Sequence, residues 1–202
     1  MHKDYSYEFE HDDFYCYPGS DVLKNKLNIS DRNLFFKAER EITSLRTAQA
    51  LLESIPGAFD FEHLCAIHHF LFSDIYDWAG KIRTLNISKG NTFCHVNFIE
   101  SELHRVFTEL ESDRLLTELR TPQTMAERLA YYLSEINAIH PFREGNGRTQ
   151  RLFIILLARH NGYDLNFATV TADEMIKASD ESFFGNYSTM TALIARSLTK
   201  QA

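Results

Sequence analysis

An all-α domain carrying one short β-hairpin is what this sequence predicts, and three observations predict it. Apolar residues recur three and four apart over several long stretches. Short cap and turn signals separate those stretches, with no long loop between them. A single interval, residues 83–98, loses the helical period and turns rich in β-prone side chains.

The elements follow in order. Residues 1–20 are aromatic, acidic and non-periodic, and read as an irregular arm. Ser30-Asp31 reads as a helix N-cap. The helix it opens runs to about Glu53, with Leu34, Ala38, Ile42, Leu45 and Ala48 at helical spacing. Ile55-Pro56-Gly57 ends it. Asp60 caps a second helix through Leu64, Ile67 and Leu71 to about Ile75. Between Arg83 and Phe98, Leu85, Ile87, Phe93, Val96 and Phe98 around a Lys89-Gly90-Asn91 turn predict a hairpin. Ile99–Leu116 returns to helix. Pro122 opens the next helix in its first turn and Pro141 stops it after Ala138. A further helix runs to Asn161-Gly162, a good C-terminal cap. Thr171–Ala178 and Glu181–Leu198 read as two last helices, broken near Gly185-Asn186.

With 202 residues, 44% of them hydrophobic, the chain can bury one sizeable core, so a single domain over 1–202 is expected. A net charge of -7 argues against nonspecific binding to nucleic acid or an anionic membrane surface. Cys16, Cys65 and Cys94 are odd in number and lack metal-like spacing, which suits reduced thiols in a cytosol. No apolar run has membrane length, and Met1-His2-Lys3-Asp4-Tyr5 does not open a signal peptide. His63, Cys65, His68 and His69 have no second Cys/His pair at zinc spacing and read as core and surface residues. Trp78 reads as a core anchor.

The chemistry concentrates in His140-Pro141-Phe142-Arg143-Glu144-Gly145-Asn146-Gly147-Arg148-Thr149-Gln150-Arg151, directly before the apolar run Leu152–Leu157. That order places a loop at the N-terminus of a buried helix, where unsatisfied N–H groups and the helix dipole bind anions. Gly145 and Gly147 let backbone approach such an anion closely. Arg148 and Arg151 share one helix face and suit several phosphate oxygens. Glu144 belongs beside an anion only with a cation between them, and Mg²⁺ bridging a carboxylate to phosphates is the usual solution. His140 alone in the run can accept a proton near neutral pH. The glycines are neither a Rossmann fingerprint, since Gln150 stands where the third glycine belongs, nor a P-loop. The run therefore reads as a phosphate–Mg²⁺ site with a general base on its rim.

These residues match the Fic motif, H-x-F-x-[DE]-G-N-G-R-x-x-R, at every fixed position. Trp78-Ala79-Gly80-Lys81-Ile82-Arg83 resembles the family's second signature, and Tyr17-Pro18-Gly19 its N-terminal entry, so the resemblance spans nearly the whole chain. The sequence most resembles Fic toxins with a separate antitoxin and the Fic domains of Bartonella-type secreted effectors. The resemblance implies an adenylyltransferase that moves AMP from ATP to a Tyr, Thr or Ser hydroxyl of a target protein and releases pyrophosphate.

In that scheme His140 deprotonates the hydroxyl and Glu144 holds Mg²⁺. Gly145, Asn146 and Gly147 surround the α-phosphate, Arg148 and Arg151 hold the β- and γ-phosphates, and Phe142 fixes the loop from the core. The related Doc kinases carry Lys where Gly147 stands, so Gly147 resembles the AMP-transferring members. The hairpin becomes a flap that docks the target by strand addition, with Lys89, Gly90, Asn91, Thr92, Phe93 and His95 as its residues. Phe183, Phe184 and Tyr187 read equally as an adenine wall or as core, and Asn186 as an adenine partner. Family members are often inhibited by a [ST]-x-x-x-E-[GN] helix whose Glu pairs with the second arginine. Here the one Glu followed by Gly or Asn is Glu144, and Ser6–Glu10 is followed by His11. A separate antitoxin-like protein is the expected inhibitor, and a bacterial cytosol, or a host cytosol after secretion, the expected place. Competing readings are a regulatory nucleotide-binding module without turnover, and kinase or phosphocholine transfer on the same fold.

Overall fold

The computed structural model describes residues 12–89 and 91–201. Residues 1–11, which include most of the expected arm and the Ser6–Glu10 pair, and flap residue Gly90 lie outside them.

Four of the α-helices begin where a short polar side chain takes an orphan N–H. Asp31 accepts from Leu34 N and opens α1 (Arg32–Glu53), and Asp60 accepts from His63 N and opens α2 (Phe61–Phe72). The flap follows as β1 (Ser88–Lys89) and β2 (Asn91–Thr92), antiparallel with Ser88 opposite Thr92. It is shorter than the sequence suggested. Val96–Phe98 forms a 3₁₀ turn leading into α3 (Ile99–Ser112), and Phe98 is exposed. The expected helix to Leu116 stops early because the chain turns sharply at Arg114–Leu116, where all three residues have positive φ.

Thr121 caps α4 (Pro122–Ile139), with Pro122 in its first turn, and α5 (Asn146–His160) follows the motif loop. α6 (Ala172–Phe183) opens on a capping box of Thr171 and Glu174. The break at Gly185-Asn186 is where expected, and α7 (Ser188–Ser197) follows it. Leu198 does not extend that helix. It begins β4 (Leu198–Lys200), which pairs antiparallel with β3 (Tyr163–Leu165). Local sequence could not show this, because β4 exists only as the partner of a strand that follows the Gly162 turn, 36 residues earlier.

Apart from Ile87 and Phe93 at the flap, the buried apolar residues form one cluster. α4 runs through it, meeting α3, α5, α6 and α7, while α2 packs on α5 and α1 on α2. α1 turns an unexpected side inward. Its buried stripe is Phe35, Glu39, Thr43 and Ala50, whereas Leu34 (56%) and Leu45 (74%) of the apolar stripe are exposed. Polar side chains on the inner face hid the true period. The three histidines of α2 each engage backbone, His63 at Ile55 O, His68 at Glu144 O and His69 at Ala79 O. Among the described residues no group of three or more His, Cys, Asp or Glu could hold a metal ion, and no helix is long and apolar enough to cross a membrane. Trp78 stacks on Tyr76 with ring centroids 4.2 Å apart, as a packing anchor does.

Candidate active site

α4 ends at His140 because Pro141 cannot continue it. His140 takes a left-handed conformation (φ 52, ψ 62) while its N–H still donates to Ile136 O at 3.0 Å. Positive φ in a non-glycine residue is strained and persists only where surroundings over-determine it. Two contacts do so here. Arg83 Nε donates to the His140 carbonyl at 2.8 Å, and the imidazole stacks on the flap's Phe93, with centroids 3.8 Å apart. The ring's Nδ1 lies 3.1 Å from Asn137 O. A carbonyl only accepts, so Nδ1 carries the proton and Nε2 is the basic nitrogen.

The loop after His140 is held from inside. Asn146 Oδ1 accepts from Phe142 N at 2.8 Å, and its Nδ2 donates to Phe142 O at 2.7 Å. The Asn146 side chain is therefore a loop brace. Phe142 is fully buried, as expected. His68 stacks on it at 3.9 Å, accepts Gly80 N–H on Nδ1 at 2.7 Å, and so must donate from Nε2 to Glu144 O at 3.0 Å. Burial lowers the pKa of His68 to about 3, so the ring is neutral. Arg143 forms an ion pair with Asp12 at 2.8 Å, both side chains fully buried, which fastens the N-terminal segment to the loop.

Gly145 (φ +79) starts α5, and a Cβ there would lie 2.3 Å from the Phe72 ring. No side chain caps this helix, which leaves the N–H groups of its first turn able to bind an anion. Glu144 Oε1 accepts from Gly145 N at 2.8 Å. His140, Glu144, Gly145, Gly147, Arg148 and Arg151 line one cavity of about 270 Å³ with Phe93. A Cβ on Gly147 would stand 3.0 Å from Arg151 Nη1. Among the described residues Arg151 meets no carboxylate, and burial followed by the charge of Arg148 lowers its pKa.

The motif is thus brought together as expected, with corrections around it. The far wall of the cavity comes from α6, through Met175, Ile176, Ser179, Asp180 and Phe183. Asn186 and Tyr187 do not line it. Asn186 Oδ1 caps α7 by accepting from Ser188 N at 3.2 Å, and the Tyr187 hydroxyl donates to Glu135 at 2.9 Å. Phe184 points to solvent. Of the flap residues, Phe93 packs inward on His140 and is not an edge contact. Thr92 is exposed, and His95 is exposed with Nδ1 capping the 3₁₀ turn through Asn97 N. The strands of Lys89 and Asn91 are described, their side chains are not.

Sequence reasoning missed Glu39, Thr43 and His68, and gave Arg83 no task. Arg83 is buried and donates to the carbonyls of Leu85, Cys94, Ile139 and His140, tying the flap's base to the motif loop. A carboxylate on the core-facing stripe of α1 was the signal available for Glu39.

A helix N-terminus, two arginines and a histidine on one cavity are equipment that suits a nucleotide-handling transferase. The chain belongs to the Fic/DOC family, whose model matches residues 58–158. It is 39% identical over 182 residues to the probable protein adenylyltransferase y4lH of Sinorhizobium fredii, covering 90% of this chain and 93% of that one. It is 41% identical over 189 residues to the protein adenylyltransferase VbhT of Bartonella schoenbuchensis, covering 93% of this chain and 39% of VbhT. Its fold superposes on BepC, a VirB-translocated effector of Bartonella tribocorum solved with bound AMPPNP. The TM-score is 0.88 at 27% identity, covering 93% of this chain and 97% of that one.

Proposed function

We propose that this protein transfers AMP from ATP to a hydroxyl side chain of a target protein. The observation that carries the reading is the placement of His140, with Nδ1–H tied to Asn137 O and the ring on the same cavity as the anion-binding end of α5. Simple nucleotide binding needs no base there. In the reaction the target oxygen attacks the α-phosphorus, its proton passes to His140 Nε2, and the α–β bridging bond breaks to release pyrophosphate. The N–H groups of α5's first turn neutralise charge on the α-phosphate, and Arg151 takes the distal phosphates. Phe183, Met175 and Ile176 offer the apolar wall for the base.

The site suits Mg²⁺ brought in with the nucleotide. Glu144 is a single carboxylate at the loop, too few ligands alone but adequate with phosphate oxygens. Glu144 would hold the ion, which when bound supplies charge neutralisation on the phosphates. The flap presents a short strand beside His140, a place for a target segment to pair. Arg151, which meets no carboxylate among the described residues, supports inhibition in trans by a partner's Glu, of the antitoxin kind. We place the work in a cytosol, that of the bacterium or of a host cell after secretion.

The test is label transfer from α-labelled ATP into protein in a lysate, against His140→Ala. Label from the α-phosphate should appear with the wild-type chain and fall by at least about 10²-fold in the variant, the low end of general-base effects. Label from the γ-phosphate instead, or equal transfer by the variant, would refute the assignment.

A further inference from the structure

Arg148 does not extend into the cavity unaccompanied. Helix α1 holds it: Nη2 donates to Glu39 Oε1 at 2.9 Å and Nη1 to Thr43 Oγ1 at 3.0 Å. The guanidinium lies over the Phe72 ring, 4.8 Å from its centroid. Glu39 is buried and also accepts from the Tyr76 hydroxyl at 3.1 Å. A second carboxylate, Glu144, stands 3.5 Å from the same guanidinium. One cation is therefore shared by two acids, one from a distant helix and one from the catalytic loop. A buried carboxylate is costly unless it is paired and hydrogen-bonded, and Glu39 occupies a position where an apolar residue would otherwise pack.

We infer that Glu39 is a positioning residue for the nucleotide site: it holds Arg148 against α1, keeps that arginine from closing on Glu144, and so leaves the Glu144 carboxylate available to metal-bound triphosphate. The inference rests on the proposed function only for the identity of its ligand, ATP with Mg²⁺. The two motif arginines then divide their work. Arg148 is a fixed wall whose charge is already shared, and Arg151 is the arginine that answers to phosphate. The lowered pKa of Arg151 agrees, since its guanidinium sits in a buried place beside a like charge and touches no carboxylate among the described residues.

Glu39→Gln tests this directly. It keeps an acceptor oxygen for Arg148 and Tyr76 and removes only the charge, so Arg148 turns to its remaining carboxylate, Glu144. In calorimetric titrations of ATP, the Mg²⁺ concentration giving half-maximal binding should rise about fivefold, the scale of one part-exposed ion pair. ATP binding without divalent metal should be unchanged or tighter. A merely structural Glu39 would lower Tm and leave the Mg²⁺ midpoint alone, and that result overturns the inference. In an Arg148→Gln background the shift should vanish, and its persistence there also overturns it. Should Glu39→Gln fail to fold, Thr43→Val removes the Nη1 acceptor together with the hydroxyl's own bond to the Glu39 carbonyl, and should move the midpoint in the same direction, no movement counting against Glu39. A wild-type chain that binds ATP with Mg²⁺ but transfers no label sinks the proposed activity alone, because the Glu39 readout is binding.

Discussion

Acidification should destabilise this protein through one buried imidazole, His68. Its ring is fully buried, stacked on Phe72 and Phe142, with Nδ1 accepting from Gly80 N and Nε2–H donating to Glu144 O. A proton on Nδ1 would face an N–H donor, and a charge would enter an apolar stack. Burial therefore holds the folded pKa at about 3, against an ordinary 6.5. The folded value lies below the unfolded one, so this stabilisation is complete above about pH 6.5 and is lost as pH falls towards 3. Over that interval the unfolded chain binds a proton that the folded one does not, a slope of about 1.4 kcal/mol per pH unit. At pH 5 the loss from His68 is on the order of 2 kcal/mol, a large part of a typical domain's stability. The assay is urea unfolding at intervals from pH 7 to pH 5, for wild type and His68→Gln, whose amide offers one donor and one acceptor and does not titrate. His63, whose pKa burial also lowers, acts in both proteins and cancels in the comparison. The wild-type stability should fall more steeply with acid than the variant's, by about 1 kcal/mol per unit once below pH 6. Parallel curves would refute the reasoning, because they would mean that His68 accepts its proton in the folded state or is not sequestered there.

Two further outcomes follow from the loop. Gly145→Ala should cost about 2–4 kcal/mol in urea unfolding, from positive φ together with a clash on Phe72. Gly162→Ala, at φ +76 with open space around it, isolates the strain at about 1–2 kcal/mol, and equal losses at both sites would remove the clash from the account. Arg151→Ala should weaken ATP binding in calorimetry by tenfold or so, the scale of a lost charge-assisted contact. It should also leave the chain indifferent to a partner helix bearing an inhibitory Glu. A variant that binds ATP like wild type, or is still inhibited through that Glu, would make Arg151 structural.

Much of this was legible in the residue order, and the reason is locality. Asp31, Asp60 and Thr121 cap helices by reaching N–H groups three residues on, and Pro122, Pro141 and Gly145 act through their own backbone, so neighbours in sequence suffice to decide them. The parts of the proposed phosphate cradle were legible for the same reason: loop, glycine and helix N-terminus are consecutive in His140–Arg151. What only the tertiary structure decided lies between residues far apart. The face of α1 that turns inward was hidden because Glu39 and Thr43 break the apolar period to reach Arg148, more than a hundred positions away. Arg83 finds the His140 carbonyl, His68 the Glu144 carbonyl and Asp12 the guanidinium of Arg143 only after the core has closed around α4 and α5. β4 likewise needs β3 beside it, and Asn186 and Tyr187 are turned from the cavity by partners in α7 and α4. A cap or a turn is fixed by short-range hydrogen bonding. A buried polar pair is worth forming only when folding has already removed both groups from water, so its partner is set by packing and cannot be read from its neighbours in the chain.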